Sequence, residues 1–165
     1  MIIIRKAVFE DCRTISLLKR EVWNTTYRGI YSDAKIDGYD VDKHARVLEG
    51  IVQNPEMSLF TACDGERIIG FISCGTPHRP FLHYKQDIGL MYILDEYQRQ
   101  GIGRRLFTAA INEIKENGHD EFFTSVNKYN TNAISFYEAM GGRIILTDED
   151  KEDKRESQVK LHYDI

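Results

Sequence analysis

Residues 87–106 read Asp87-Ile88-Gly89-Leu90-Met91-Tyr92-Ile93-Leu94-Asp95-Glu96-Tyr97-Gln98-Arg99-Gln100-Gly101-Ile102-Gly103-Arg104-Arg105-Leu106. The first part of this stretch, through Leu94, is an apolar run of strand length. Beyond it Ile102, Leu106, Ala109, Ala110 and Ile114 recur at helical spacing until Gly118 stops the helix. The join, Gln98-Arg99-Gln100-Gly101-Ile102-Gly103, therefore opens a helix immediately after a buried strand. Such an opening presents backbone N–H groups with no intrahelical acceptor, and the helix dipole adds partial positive charge, so a di-anionic group is favoured there. Gly101 and Gly103 let a ligand approach the main chain, and Arg99, Arg104 and Arg105 add charge at the rim. An arginine in the first helical turn opposes the dipole, and a bound anion resolves that conflict. The same glycines also suit a plain strand-to-helix bend. Two other phosphate loops fail on composition. A dinucleotide-binding turn needs a third glycine where Leu106 stands, and the Gly-Lys-Ser/Thr of a nucleoside-triphosphate loop occurs nowhere in the chain.

Upstream, residues 2–6 read as a first strand, and residues 10–24 as a helix with Ile15, Leu18 and Val22 on one face. Residues 23–38 carry Trp23, Tyr27 and Tyr31 without sustained period, which predicts an ordered loop or short helix rich in aromatic surface. A helix over 42–53 closes at Asn54-Pro55. Residues 59–63 and 67–74 are β-rich and flank Asp64-Gly65, a hairpin signal. The two prolines of residues 76–85 then break the pattern. Downstream of the glycine loop and its helix come a strand at 121–126, a helix at 132–140 and closing strands at 143–146 and 159–163. The charged run 148–156 reads as a solvated hairpin tip. The whole is mixed α/β, expected to form one domain over residues 1–165.

A chain of 165 residues buries roughly 70% of its unfolded surface, enough for a real core. Its 42% hydrophobic and 29% charged content is that of a globular protein rather than a disordered one. A net charge of −4 with no basic cluster argues against nucleic acid as partner. Cys12, Cys63 and Cys74 are odd in number and widely spaced, so they predict reduced structural thiols, not a disulfide framework or zinc ribbon. His44, His78, His83, His119 and His162 are scattered without ligand spacing, and no metal site is expected. No apolar run approaches the ~20 residues of a membrane span, and no signal sequence opens the chain, which predicts a cytoplasmic protein.

The stretch 87–106 resembles the central motif of the GNAT superfamily of acyl-CoA-dependent N-acetyltransferases. That motif combines an acidic residue and Ile, Leu-Tyr-Val, an acidic turn and Gln/Arg-x-x-Gly-x-Gly/Ala. Downstream, Asn130-Thr131-Asn132-Ala133-Ile134-Ser135-Phe136-Tyr137-Glu138-Ala139-Met140-Gly141-Gly142 resembles the second motif of the same family, Asn-x-x-Ala-x-x-Phe-Tyr-Glu-x-x-Gly. Two departures stand out: Asp95 replaces a usual proline, and Gly142 replaces an aromatic residue that often follows the glycine. The resemblance implies a mostly antiparallel central sheet with helices on both faces, and acetyl-CoA as cosubstrate with no metal. It places the diphosphate on the backbone of Arg99, Gln100, Gly101, Ile102, Gly103 and Arg104, with Gln98 at the start of the loop. The pantetheine arm would pair like an added strand with the main chain of Met91, Tyr92 and Ile93, which requires the neighbouring strand to diverge. Asn130 would stand on the far side of the arm.

For catalysis the resemblance implies Asp87 as general base, directly or through water, and Tyr137 as the acid at the departing thiolate. An alkyl amine with a pKa near ~10.4 is protonated at neutrality, so some group must take its proton. With a phenol near ~10 and a thiol near ~8.5, full transfer from Tyr137 is uphill by roughly 2 kcal/mol, a gap that hydrogen bonding to sulfur can cover. The resemblance also places the oxyanion on strand N–H groups near Tyr92 or Ile93. A covalent route through Cys74 is the rival to direct transfer, and a CoA-binding module without turnover, or a nucleotide-dependent enzyme, is the rival to acetyl transfer. The acceptor expected is a primary amine, a small molecule rather than a protein, bordered by Trp23, Tyr27, Tyr31 and the 76–85 loop. A homodimer is compatible with the sequence.

Overall fold

The computed structural model describes residues 1–165. Strand β1 (Ile2–Lys6) passes through a single 3-10 turn into helix α1 (Cys12–Val22). Asp11 fixes that junction: its carboxylate accepts the Val8 N–H at 2.8 Å and the Arg5 guanidinium at 2.7 Å. Ile15, Leu18 and Val22 are buried, as the helical spacing predicts. The helix does not run on regularly to residue 24. It widens into a π turn at Trp23–Tyr27. Asn24 donates to the Arg20 carbonyl and Thr25 to the Val22 carbonyl, so polar side chains compete for the main chain where the regular turn gives way.

Two further helices follow, each started by a side-chain cap. Ser32 accepts from the Lys35 N–H at the head of α2 (Asp33–Asp37), and Asp40 accepts from the Lys43 N–H at the head of α3 (Val41–Gln53). Strands β2 (Met57–Asp64) and β3 (Arg67–Gly75) form the hairpin foreseen at Asp64-Gly65, with Gly65 at a φ of +58°. Then come β4 (Asp87–Ile93), α4 (Ile102–Glu116), β5 (Glu121–Asn127), α5 (Thr131–Ala139), β6 (Arg143–Asp148) and β7 (Gln158–Asp164).

All seven strands join one sheet in the order β1-β2-β3-β4-β5-β7-β6, antiparallel except for β4 beside β5. In β3 every residue after Arg67 is buried, which a strand achieves only when both faces are covered. Gly70 shows what covers one face: a Cβ there would stand 3.4 Å from Leu106 of α4. Its neighbour Phe71 points the other way and stacks on Tyr92, whose hydroxyl receives the Trp23 indole N–H. Helix α4 thus packs on one face, and α1 with its π turn on the other. The core between them includes Phe71, Phe107, Phe122, Leu106, Ile114 and Leu161, all essentially inaccessible.

Two irregularities shape the middle of the sheet. Gly89 is an extra residue on β4 opposite Ser73 and Cys74, and the Ser73 hydroxyl accepts the Leu90 N–H at 2.9 Å in place of a ladder bond. Pairing between β4 and β5 covers only Asp87 with Phe123 and Ile88 with Thr124, after which the two strands part. The residues 148–156 are also more than a solvated tip. Glu156 accepts an ion pair from Lys35 of α2 at 2.7 Å, and Glu149 pairs with Lys128, so this connection is clasped onto the body of the protein.

Candidate active site

The glycine loop has the geometry of an anion cradle. Arg99 and Gly101 both take left-handed φ values, +59° and +78°. Gly101 is the residue preceding α4, and no side chain caps this helix. The Gln98 N–H is used by Asp95 and the Arg105 N–H by the Gly101 carbonyl, while the N–H groups of residues 99–104 find no protein acceptor. A row of free amides at a helix start attracts anions. Side chains brace the loop from behind: Gln98 donates to the Ile93 carbonyl and to Asp95, and Gln100 to the Glu96 carbonyl. Gln98 and Gln100 are thus engaged with the turn, and Ile102 is buried, which leaves their backbone groups toward solvent. Arg99 and Arg104 are exposed at the rim. Arg105, also expected there, instead reaches back to the Ile2 carbonyl at 3.0 Å. Gly103 has a second reason to lack a side chain: a Cβ would lie 3.1 Å from Met91, 3.3 Å from Ile93 and 3.3 Å from Phe136, so it is where α4, β4 and α5 press together.

The parting of β4 and β5 leaves a central strand half-buried along Leu90, Met91, Tyr92 and Ile93. Leu90 and Leu94 both donate toward β3, to the Ser73 hydroxyl and the Ile69 carbonyl. By the alternation of an antiparallel ladder the Tyr92 N–H also turns to β3, and the N–H groups of Met91 and Ile93 face the opening. Of the two oxyanion positions expected from the sequence, only the Ile93 amide is aimed at the gap. The Tyr92 side chain belongs to the opposite face, against Phe71 and Trp23.

Asp87 sits at the closed end of the gap, beside the last paired residues. Burial pushes its carboxyl up to about 7, and the charge of Lys160 pulls modestly the other way. Tyr137 is buried on α5, its phenol pushed above the usual range by burial and by Tyr27, with the Thr124 hydroxyl opposing. Thr124 in turn donates to the Ile88 carbonyl at 2.9 Å, which brings Tyr137 to the point where the strands separate. Asn130 caps α5 by accepting the Ala133 N–H, and its amide donates to the Tyr27 hydroxyl at 3.3 Å. The departure at Gly142 has a local cause. A Cβ there would lie 2.6 Å from the Tyr163 hydroxyl, which donates to the Tyr137 carbonyl, so Tyr163 fills the space and anchors Tyr137.

Trp23, Tyr27 and Tyr31 gather on the face opposite α4. Tyr27 and Tyr31 stack at 4.5 Å, Tyr27 lies 6.2 Å from Tyr92, and Trp23 meets Tyr31 edge-on. Lys19 is buried beside this cluster, 5.5 Å from the Trp23 and Tyr92 rings, and burial with the charge of Lys35 lowers its ammonium to about 8. The sequence does not single out Lys19, because a lysine within an amphipathic helix gives no sign of being turned inward. On the other flank the 76–85 loop packs Phe81 and Tyr84 on Phe123, with Lys160 over Phe81. His83 pairs with Glu121, and His162 with Asp164 and Tyr84, so two histidines that look scattered in the chain converge at one sheet end. All three cysteines are free and buried, and burial lifts the Cys74 thiol to about 12, which makes it a poor nucleophile.

Comparison with known proteins agrees with this arrangement. Residues 9–142 match the family described as the Acetyltransferase (GNAT) family. The chain is 30% identical over 150 residues to spermidine N(1)-acetyltransferase of Thermoplasma acidophilum, covering 88% of this chain and 90% of that protein. It superposes with a TM-score of 0.84 and 26% identity on the PaiA N-acetyltransferase of Thermoplasma acidophilum solved in complex with coenzyme A, covering 100% of this chain and 99% of the other. The ribosomal-protein-alanine N-acetyltransferase of Brucella melitensis, 18% identical with a TM-score of 0.79 and 99% of each chain covered, shares the fold. The free amide row, the parted strands and these likenesses together assign the chain to the GNAT acetyltransferase family, and its activity is the acetyl-CoA-dependent acetylation of an amine.

Proposed function

We propose that this protein transfers the acetyl group of acetyl-CoA directly to a primary amine of a small polyamine of the spermidine class. The observation that carries the reading is the parting of β4 from β5 after Ile88, which leaves a buried strand edge with donors aimed at nothing in the protein. Unpaired main-chain groups inside a sheet are costly, and an extended amide-bearing arm lying along Met91 and Ile93 satisfies them. The diphosphate end of the same molecule then reaches the free amides of residues 99–104, where Arg99 and Arg104 add charge. Asn130, at the start of α5, is the residue we assign to the far side of the arm.

Asp87 is the general base in this scheme. A carboxyl held near 7 is half-ionised at neutrality and takes a proton from an ammonium more readily than an ordinary aspartate does. The amine nitrogen then forms its bond to the acetyl carbon, and as the carbon–sulfur bond breaks the nitrogen's remaining surplus proton passes to the departing sulfur, giving the amide and the free thiol of CoA. Tyr137 donates a hydrogen bond to the departing sulfur. Its raised pKa makes complete proton transfer less favourable than the sequence alone indicates, so stabilising the thiolate is its main task. The acceptor class rests on the spermidine-acetylating relative and on the aromatic wall of Trp23, Tyr27 and Tyr31, which suits a cationic chain. Buried reduced thiols suit a cytoplasmic setting, and no helix is long and apolar enough to cross a membrane.

The test is a thiol-release assay with purified protein, acetyl-CoA and a panel of spermidine, butylamine and an amino-terminal peptide. We expect spermidine to react fastest. A faster peptide overturns the acceptor class. Tight CoA binding without thiol release from any amine supports the non-catalytic alternative, and displacement of CoA by ATP or NAD supports a nucleotide enzyme.

A further inference from the structure

Lys35 carries a primary alkylammonium into an aromatic cage beside the proposed site. Its Nζ lies 3.9 Å from the centre of the Tyr31 ring and 5.4 Å from that of Trp23, and both Glu156 carboxylate oxygens stand at 2.7 Å. Two ring faces and a carboxylate are the groups that recognise an alkylammonium ion. A clasp between α2 and the β6–β7 connection needs the carboxylate and the ammonium, but it has no need of the rings.

The cage is continuous with the reaction centre. Tyr31 stacks on Tyr27, and Tyr27 receives the Asn130 amide and lies within the electrostatic reach of Tyr137. Its separation from Asp87 is set by the sheet. Asp87 is level with Phe123 of β5, whereas the loop bearing Glu156 is tied to Asn127 at the far end of β5, through the Arg155 carbonyl at 2.6 Å. From Phe123 to Asn127 a strand rising ~3.3 Å per residue covers roughly 13 Å, the reach of an extended triamine.

We propose that Glu156, Tyr31 and Trp23 form a subsite for the distal ammonium of a polyamine acceptor, held in the free enzyme by the side chain of Lys35. The inference rests on the polyamine reading above and adds the means of recognition. The acceptor enters by displacing Lys35, which is feasible because each partner of the pair remains about a third exposed, at 34% and 31%, where solvent weakens an ion pair. While Lys35 is seated it neutralises Glu156. Lys19, whose ammonium lies 5.5 Å from the Trp23 ring, adds further positive charge, so the resting site disfavours a second cation. A monoamine has no distal charge and makes no use of the cage.

The experiment compares wild type, Lys35→Met and Glu156→Gln with spermidine and butylamine as acceptors, reading the ratio of their kcat/KM values. Lys35→Met is expected to raise the spermidine preference about tenfold through KM, and Glu156→Gln to lower it about tenfold or more. Trp23 is the single tryptophan of the chain, so its fluorescence reports spermidine binding without turnover and should respond at lower spermidine in Lys35→Met. Circular dichroism melts confirm that the variants fold. A ratio that neither substitution moves, with spermidine still acetylated by wild type, overturns the subsite alone, as does a reduced preference in Lys35→Met. Absence of spermidine acetylation by a wild type that acetylates other amines overturns the polyamine reading and the subsite with it.

Discussion

On the mechanism proposed above, Asp87 joins reactivity and stability in one carboxyl group. Its folded pKa of about 7 lies well above the ~3.9 of an unfolded aspartate, so the fold favours the protonated form. The sign follows from proton counting: between those two values the native state binds more protons than the unfolded chain, and stability falls as pH rises. The contribution is fully present below ~4 and is lost as pH climbs through about 7. In the proposed mechanism activity runs the opposite way, because a protonated Asp87 takes no proton from the amine. We therefore expect kcat/KM to fall about tenfold per pH unit below about 7, and Asp87→Asn to remove that limb while slowing turnover by ~10²- to 10⁴-fold. The same substitution should raise the melting temperature at pH 8, with the gain shrinking toward pH 4. A variant that melts no higher than wild type at pH 8 would mean that the buried charge is not what strains this position. Tyr137 shows a comparable tension: burial raises its phenol pKa, so in the same mechanism it is better suited to hydrogen-bond the departing sulfur than to give up its proton.

At the scale of elements, the turn from β4 into α4 meets two demands at Gly103, a packing one and the ligand approach proposed above. The sequence reads this glycine as a place for a ligand, and the packing shows that Met91, Ile93 and Phe136 also converge on it. Gly103→Val is accordingly expected to weaken CoA binding by more than tenfold and to lower stability by ~1–3 kcal/mol through overpacking, seen together by calorimetric titration and urea unfolding. Loss of stability with intact affinity would reduce the residue to a packing role. Most elements were legible from local patterns: the hairpin at Asp64-Gly65, the strand at 87–93 and the helix that starts beyond Gly101 depend on periodicity and turn chemistry that the sequence displays directly. What escaped was set by tertiary partners. The π turn at Trp23–Tyr27 depends on where polar side chains find carbonyls, the left-handed Arg99 on a turn braced by Gln98 and Gln100, and the seat of Glu156 on a lysine far away in the chain. Gly142 looked like a departure until Tyr163, two strands later, was seen to occupy its space.

For the whole molecule, the sheet is one surface but not one continuous ladder. The β1-β2-β3-β4 portion and the β5-β7-β6 portion meet through two register pairs at Asp87 and Ile88 and through Thr124 reaching the Ile88 carbonyl. Side chains add to the join: Phe107 touches Phe122, Phe136, Tyr137 and Tyr163 under the gap, and Lys35 with Glu156 and Tyr27 with Asn130 link the two portions on the other face. A molecule lying between the strands would therefore bridge two halves that the backbone leaves apart, so cosubstrate binding and cohesion of the fold are coupled. At one hundred times its dissociation constant, CoA should stabilise the protein by about 2.7 kcal/mol, seen as a higher melting temperature. The distribution of that stabilisation is the sharper measurement. Amide hydrogen exchange should slow at residues 99–104 and at Met91 and Ile93, whose N–H groups face open space in the free protein, while the β1–β2 ladder, complete without ligand, should change little. Uniform slowing across every strand would show that CoA tightens the fold globally from elsewhere, and protection missing from the glycine loop would place the diphosphate outside the cradle.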